Sequence, residues 1–463
     1  MSFTRALRAV GAAAAAGALL FAAAPTASAD QVRDDQWALS AFSADKIWSE
    51  ATGKGVTVAV IDSGFKTDHP DLAGQFLKGK DFIDGDTSVE PDQGKSKPDH
   101  GTAMASVIAG HGHGAGNDSG VKGLAPEAKI LPIRDDGASG SGYYGPAIRY
   151  AVDNGADVIN ISQGVESLGD GSADILELQE SIKYALEHGV PVVTASGNEG
   201  VEVAKSPINH PAIDPGMVTV GAVDSGGAIW GKSNFGSQLT LAAPGVHIVS
   251  AGLDSDGYRQ GTGTSDSAAY ASAALALLKQ KFPDLSAGQL VNRLVKTAGL
   301  PASAKGASLP DEHYGYGFIQ PLAALTKNIP AGSKNGPLKV DELNAAIAKA
   351  DGGSASAPSS STAPEAASDS SDSSGMSTGL IVGIAAGVIV VLVVVVIVIV
   401  RSRKNNGGGP PPPPGGGWGG GGHQPYPAQQ PYPGSYPQQA PQVPPAPPGS
   451  YPQAPSQPPY GQQ

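Results

Sequence analysis

The chain of 463 residues has no cysteine. That excludes disulfides and thiolate metal ligation, so stability rests on a buried core, while the cell compartment stays open. The nine histidines are scattered without metal-ligand spacing. No calcium loop of EF type occurs, and the acidic loop at Asp84 and Asp86 reads as solvated surface, so no metal and no cofactor are expected. Positive charge is also in short supply: 30 Lys and Arg stand against 42 Asp and Glu, a net −12. Setting aside Arg5 and Arg8 near the N-terminus and Arg401, Arg403 and Lys404 near the tail leaves −17 on the stretch between them. A surface this acidic does not suit nucleic acid, which is bound by Lys and Arg against phosphate.

Two apolar runs stand out. Arg5 and Arg8 precede a run over residues 10–24, and Ala27, Ser28 and Ala29 supply the small residues of a cleavage site, so residues 1–29 read as a secretory signal peptide that leaves Asp30 first. The run is short and alanine-rich for a retained anchor. Residues 379–400 are almost only Val, Ile, Leu, Ala and Gly, long enough to cross the hydrocarbon core as one transmembrane helix. Arg401, Arg403 and Lys404 follow it, and basic flanks stay in the cytoplasm. The expectation is a single-pass cell-membrane protein with its folded part extracytoplasmic and its tail inside.

Low-complexity sequence frames that run. Residues 352–377 are rich in Ser, Ala, Asp and Pro and read as a flexible linker. Residues 407–463 are Gly, Pro, Gln and Tyr, with GSYPQ at 434–438 and again at 449–453. This tail is expected to be disordered with polyproline II stretches, either docking on an aromatic groove or simply solvated.

Between residues 30 and 327 short apolar runs alternate with helical periods. Residues 56–61, 129–133, 157–161, 190–194 and 217–223 read as strands whose near-continuous hydrophobicity indicates a parallel sheet covered on both faces. Residues 101–110, 146–154, 175–188 and 264–281 read as the intervening helices, giving an α/β sandwich. In such sheets functional groups gather at the carboxyl ends of strands, and Asp62 is expected just past the end of the first.

The segments VAVIDSGF (58–65), DHGTAMAS (99–106) and GTGTSDSAAY (261–270) set Asp62, His100 and Ser265 in one order along the chain. A serine hydroxyl is a weak nucleophile until an imidazole takes its proton, and the imidazole needs a carboxylate to fix its tautomer and stabilise its cation. Each residue also has a plain reading: His100 as surface decoration before a helix, and Ser265 as a helix N-cap, a duty open to Thr264 as well. Their company favours general base and nucleophile, with the Ser265 N–H and the helix dipole aimed at developing negative charge. Asn198, in TASGNEG (194–200), is either turn chemistry or an oxyanion donor. Ser265 lacks a G-x-S-x-G elbow, which argues against an esterase.

These segments resemble the subtilisin-like (S8) serine proteases over residues 56–324, and their Asp, His, Ser order is that of subtilisin. The resemblance implies a three-layer sandwich with a mainly parallel central sheet and hydrolysis of a polypeptide substrate by Asp62, His100 and Ser265. It also implies an oxyanion donor at Asn198 and substrate-lining stretches at Ser162, Gln163 and Gly164 and at Ala195, Ser196 and Gly197, which would present backbone groups to an extended peptide. Gln163 is larger than the small or aliphatic residue expected there. Asp266 and Ala269 stand where the family usually has an apolar residue and a proline. A carboxylate there suits the helix dipole, yet beside Ser265 it would oppose an oxyanion unless turned away.

The layout of the whole chain is similar to the mycosins, membrane-anchored subtilases of type VII secretion. It divides into a signal peptide (1–29), an N-terminal extension (30–52) carrying Trp37 and Trp48, a protease domain (53–327) closing on GYGFIQPLAALT, an extracytoplasmic linker (328–378), a transmembrane helix (379–400) and a cytoplasmic tail (401–463). The extension is short for a pro-segment, so zymogen control is either absent or exercised by this stretch wrapped on the domain. The implied function is a membrane-anchored extracytoplasmic serine endopeptidase linked to a type VII secretion complex. The alternative is a catalytically weak scaffold of the same fold that binds partner proteins.

Overall fold

The computed structural model describes residues 27–91, 99–137, 144–166, 173–254 and 256–352. The apolar run at 379–400, the residues after it and residues 1–26 of the expected signal peptide lie outside these residues. Among the described residues no helix is long and apolar enough to cross a membrane.

A seven-stranded sheet organises the fold. Its strands are β1 (Thr57–Asp62), β2 (Lys80–Asp81), β3 (Lys129–Arg134), β4 (Val158–Ile161), β5 (Val192–Ala195), β6 (Val218–Val223) and β7 (Leu239–Pro244). They lie in the order β7-β6-β5-β4-β1-β3-β2, every neighbouring pair parallel. Alternate side chains enter different cores. Val58 and Val60 pack in one hydrophobic cluster and Ala59 and Ile61 in the other, which is why these strands read as unbroken apolar runs.

On the first face lie α1 (His100–Ala109), α4 (Thr264–Lys281) and α5 (Ala287–Thr297); on the second, α2 (Gly145–Asp153) and α3 (Ala173–Glu187). The result is a three-layer α/β sandwich. Every residue of α4 from Thr264 to Leu278 is buried, as befits a helix small or apolar on all sides, and Lys279 and Lys281 in its last turn complement the dipole. From β1 the chain builds outward to β3 and β2 on one side and to β4, β5, β6 and β7 on the other. The carboxyl ends of β1 and β4 therefore border the point where strand order reverses, a natural crevice in such sheets.

The strands and helices read from the sequence are present with ends shifted by at most about two residues, as usual for such assignments. Asp62 is the last residue of β1, opposite Arg134, rather than just beyond it. The two sheet edges escaped the sequence reading. β2 is two residues long, and β7 carries Thr240 and Pro244 in a run too short to separate from loop.

Both flanks of the domain are folded. Helices Trp37–Phe42 and Ala44–Glu50 bury Leu39 and Ile47 in the first core. The Trp37 and Trp48 indole N–H groups each donate to a backbone carbonyl at 3.0 Å, of Val246 and Leu124. The extension thus wraps on the domain, and none of its residues lines the cleft described below. At the other end, α6 (Val340–Gly352) buries Leu343 and Ile347 in the second core beside α3. The folded unit therefore runs past residue 327, where the sequence reading ended the domain and began a linker. Leu343 and Ile347, four apart with Asn344, Ala345 and Ala346 between them, form one helical stripe too sparse to stand out against the polar sequence after it.

Candidate active site

Asp62 ends β1 and is wholly buried. The first turn of α1 sits directly against it because position 101 has no side chain: a Cβ there would lie 2.4 Å from the Gly64 carbonyl oxygen and 3.0 Å from Asp62 Cβ. This approach brings His100 Nδ1 to 2.9 Å from both carboxylate oxygens of Asp62. The Ser63 N–H at 2.7 Å and the Gln163 Nε2 amide at 2.8 Å also donate to Asp62 Oδ1. Burial alone would push the Asp62 carboxyl up, but the adjacent imidazole and these donors outweigh it and hold the carboxyl below its ordinary range. With Nδ1 committed to the carboxylate, Nε2 is the nitrogen left to take a proton.

Ser265, the second residue of α4, is held against Ser162, just past β4, by a reciprocal pair of bonds. Ser265 Oγ donates to the Ser162 carbonyl at 3.0 Å, and Ser162 Oγ donates to the Ser265 carbonyl at 3.1 Å. In this rotamer the Ser265 hydroxyl is bonded to the Ser162 carbonyl and not to His100. Asn160 carries the network inward, donating to Ser162 Oγ at 2.9 Å and accepting from Ser272 Oγ at 3.0 Å.

Asn198 follows β5 and faces the start of α4. Its Oδ1 accepts from the Thr264 N–H at 2.9 Å and the Thr264 hydroxyl at 3.1 Å. A backbone N–H can only donate, so the amide orientation is determined and Nδ2 is left as a donor. Thr264 is therefore not the N-cap; Gly263 holds that position, and the Thr264 hydroxyl ties the Asn198 loop to the helix. The same loop rests on Asn234, fully buried, whose Oδ1 accepts from the N–H groups of Glu199 and Val201 at 3.1 Å each. Gly197 has φ +106°, and a side chain there would meet Asn234 Nδ2 at 2.2 Å. Nothing in the sequence around Asn234 distinguished it from an ordinary loop asparagine.

His100, Asn198 and Ser265 line one open cleft of about 660 Å³ with all six expected substrate-lining residues, Ser162, Gln163, Gly164, Ala195, Ser196 and Gly197. Asp62 lies behind it. Ser63, Ile83, Asp136, Glu199, Ile208, His210 and Ala212 complete the lining and were not anticipated. Ile208 and His210 belong to a short strand, Ile208–His210, antiparallel to Val165–Glu166, and its sequence SPINHP is too short and too polar to read as one. Gln163, larger than the residue expected there, folds its side chain back onto Asp62. Asp266 is buried but is not part of the lining; its Oδ2 faces Gly261, 3.4 Å from where a Cβ would stand there. The carboxylate is turned away from the cleft. Among the described residues no group of three or more His, Cys, Asp or Glu is disposed to hold a metal ion.

Asp135, just past β3, donates its N–H to the Asp62 carbonyl at 2.9 Å and is itself buried. Burial, reinforced by the charges of Asp136 and Asp81 and opposed by the Gly137 N–H, pushes its carboxyl up to about 7. The folded state thus holds a proton that the unfolded chain releases near pH 4, so this group's contribution is complete below about pH 4 and is lost as pH rises through about 7. Asp135→Asn is expected to flatten the fall in stability between pH 4 and 7, a difference of the order of 4 kcal/mol or less, read from denaturant midpoints across that range.

A family model described as the subtilase family matches residues 53–317. The chain belongs to the subtilase family. It is accordingly a subtilisin-like serine protease, with mycosins among its relatives. It is 37% identical over 249 residues to the major intracellular serine protease of Bacillus subtilis (strain 168), covering 52% of this chain and 74% of that protein. To mycosin-1 of Mycolicibacterium smegmatis it is 31% identical over 360 residues, covering 67% and 77%. Among solved structures it is similar to MycP1 from the ESX-1 type VII secretion system, with a TM-score of 0.53 and 30% identity over 65% of this chain and 88% of that one.

Proposed function

We propose that this subtilase is a membrane-anchored extracytoplasmic endopeptidase working through Asp62, His100 and Ser265, and that it serves a type VII secretion complex. The observation that carries the catalytic reading is the pairing of His100 Nδ1 with buried Asp62 at 2.9 Å, with His100 and Ser265 on one cleft. In the proposed reaction His100 Nε2 takes the Ser265 Oγ proton as Oγ attacks the peptide carbonyl, and Asp62 stabilises the imidazolium. Asn198 Nδ2 and the Ser265 N–H receive the oxyanion, and His100 returns the proton to the leaving amine. Water then repeats the sequence on the acyl-enzyme. Membrane anchoring is supported by residues 379–400 with Arg401, Arg403 and Lys404 behind them, and the secretion link by the likeness to mycosins.

A membrane-impermeant fluorophosphonate applied to intact cells tests the reading. The expected result is a labelled band in the membrane fraction with the adduct on Ser265. Labelling only after lysis would remove the extracytoplasmic placement, and absence of labelling of folded protein would favour the scaffold. The oxyanion role of Asn198 makes its own demand: Asn198→Ala is expected to lower kcat about 10²–10³-fold with KM nearly constant, measured on a peptide anilide.

A further inference from the structure

Gln163 stands on the cleft wall between Ser162 and Gly164. Its Nε2 donates to Asp62 Oδ1 at 2.8 Å. That oxygen also receives the Ser63 N–H at 2.7 Å, the Ser63 hydroxyl at 3.2 Å and His100 Nδ1 at 2.9 Å, whereas Oδ2 has only His100 among these contacts. The carboxylate is thus clamped from one side by donors, and Gln163 is the one among them contributed by the stretch just past β4, where Ser63 and His100 reach it from the β1 and α1 side of the cleft. β4 and β1 are paired with Ile161 opposite Ile61, so the residues just past β4 necessarily stand beside the end of β1.

We infer that Gln163 is a positioning residue that fixes the Asp62 carboxylate, and through it the charge and orientation of His100, from the wall that receives the substrate backbone. The inference rests on the triad reading above. A carboxamide suits the position because its NH₂ only donates; leucine would fill the wall equally well and leave Oδ1 short of a donor. Without that donor the carboxylate charge is shared less and stabilises the imidazolium more, so His100 keeps its proton to higher pH. A second carboxylate in the same place would push further in the same direction.

The other titratable or charged groups about the pair are Asp135 and Asp136 after β3, the buried Tyr144 phenol at the start of α2, Asp99 with Arg259, 3.6 Å apart, at the start of α1, and Glu199 and His210 on the lining of the same cleft. None is altered by the variants below.

The test is the pH profile of kcat/KM for wild type, Q163L and Q163E, on a long peptide anilide and on a small ester that does not reach the wall. The acidic limb is expected to move up by about half a unit in Q163L and further in Q163E, equally with both substrates. The low-field proton resonance of the His100 Nδ1–H should shift in both variants. Coincident limbs in all three proteins, or a loss confined to KM of the long peptide, would overturn the role of Gln163. Phosphonate labelling run in parallel separates the two claims: unlabelled wild type removes the triad reading itself, whereas normal labelling with unmoved limbs removes only the positioning role.

Discussion

Replacing Ser265 by alanine is expected to lower kcat by about 10⁶-fold on a peptide anilide, the scale of loss when the nucleophile is removed from subtilisin. The fold should survive the change. Ser265 is buried in a helix enclosed from Thr264 to Leu278, but alanine is smaller and a better helix former, and the reciprocal bond from Ser162 Oγ to the residue 265 carbonyl is untouched. Only the bond from Ser265 Oγ to the Ser162 carbonyl is lost, a change of about 1 kcal/mol. The melting temperature should therefore move by a few degrees at most while turnover collapses. The residue of activity expected over water comes from the Asn198 amide and the backbone N–H at position 265, which the substitution leaves in place. A variant that kept the wild-type rate would mean that another group attacks the substrate.

That contrast, a large kinetic effect on a small structural one, marks which parts of the molecule the sequence could reveal. Asp62, His100 and Ser265 are legible because their chemistry needs short local settings: a strand end, a helix start with Gly101 behind it, and a second helix start. Each setting is a run of a few residues. The six lining residues are implied by the resemblance to subtilases, and the fold places them at the strand exits Ser162–Gly164 and Ala195–Gly197.

What the sequence hides is whatever depends on pairing between distant segments. Ile208 and His210 enter the cleft because their strand pairs with Val165–Glu166, more than 40 residues away, and a three-residue strand has too little periodicity to show. Asn234 supports the Asn198 loop through contacts 33 and 35 residues apart, with no local pattern. The orientation of Gln163 toward Asp62, of Asp266 toward Gly261 and of Asn198 Oδ1 toward Thr264 are rotamer choices set by the neighbours' hydrogen-bonding capacity. α6 escaped for a different reason: its two buried residues are enough to dock a helix on an existing core but too few to mark one in sequence.

The same accounting of donors makes Asp62→Asn the second severe variant, with kcat/KM expected to fall about 10⁴-fold at neutral pH, the scale of that exchange in other Ser-His-Asp enzymes. An asparagine at position 62 must point its oxygen and its NH₂ in different directions. The Oδ1 site faces the Ser63 N–H, the Ser63 hydroxyl and the Gln163 NH₂, so the amide oxygen belongs there. The NH₂ is then driven to the Oδ2 site, 2.9 Å from His100 Nδ1. Facing a donor, Nδ1 becomes the acceptor and the ring proton moves to Nε2, the atom that has to receive the Ser265 proton. The base is thus present, correctly placed and in the wrong tautomer. Activity should recover partly at high pH, where hydroxide can assist, and the low-field resonance of the Nδ1–H should vanish. The variant's thermal stability should stay close to wild type, since the bonds from Ser63 and Gln163 to Oδ1 are retained and His100 Nδ1 keeps a partner in the new NH₂. A loss of less than tenfold with that resonance intact would show that the Asp62 carboxylate does not set the tautomer of His100.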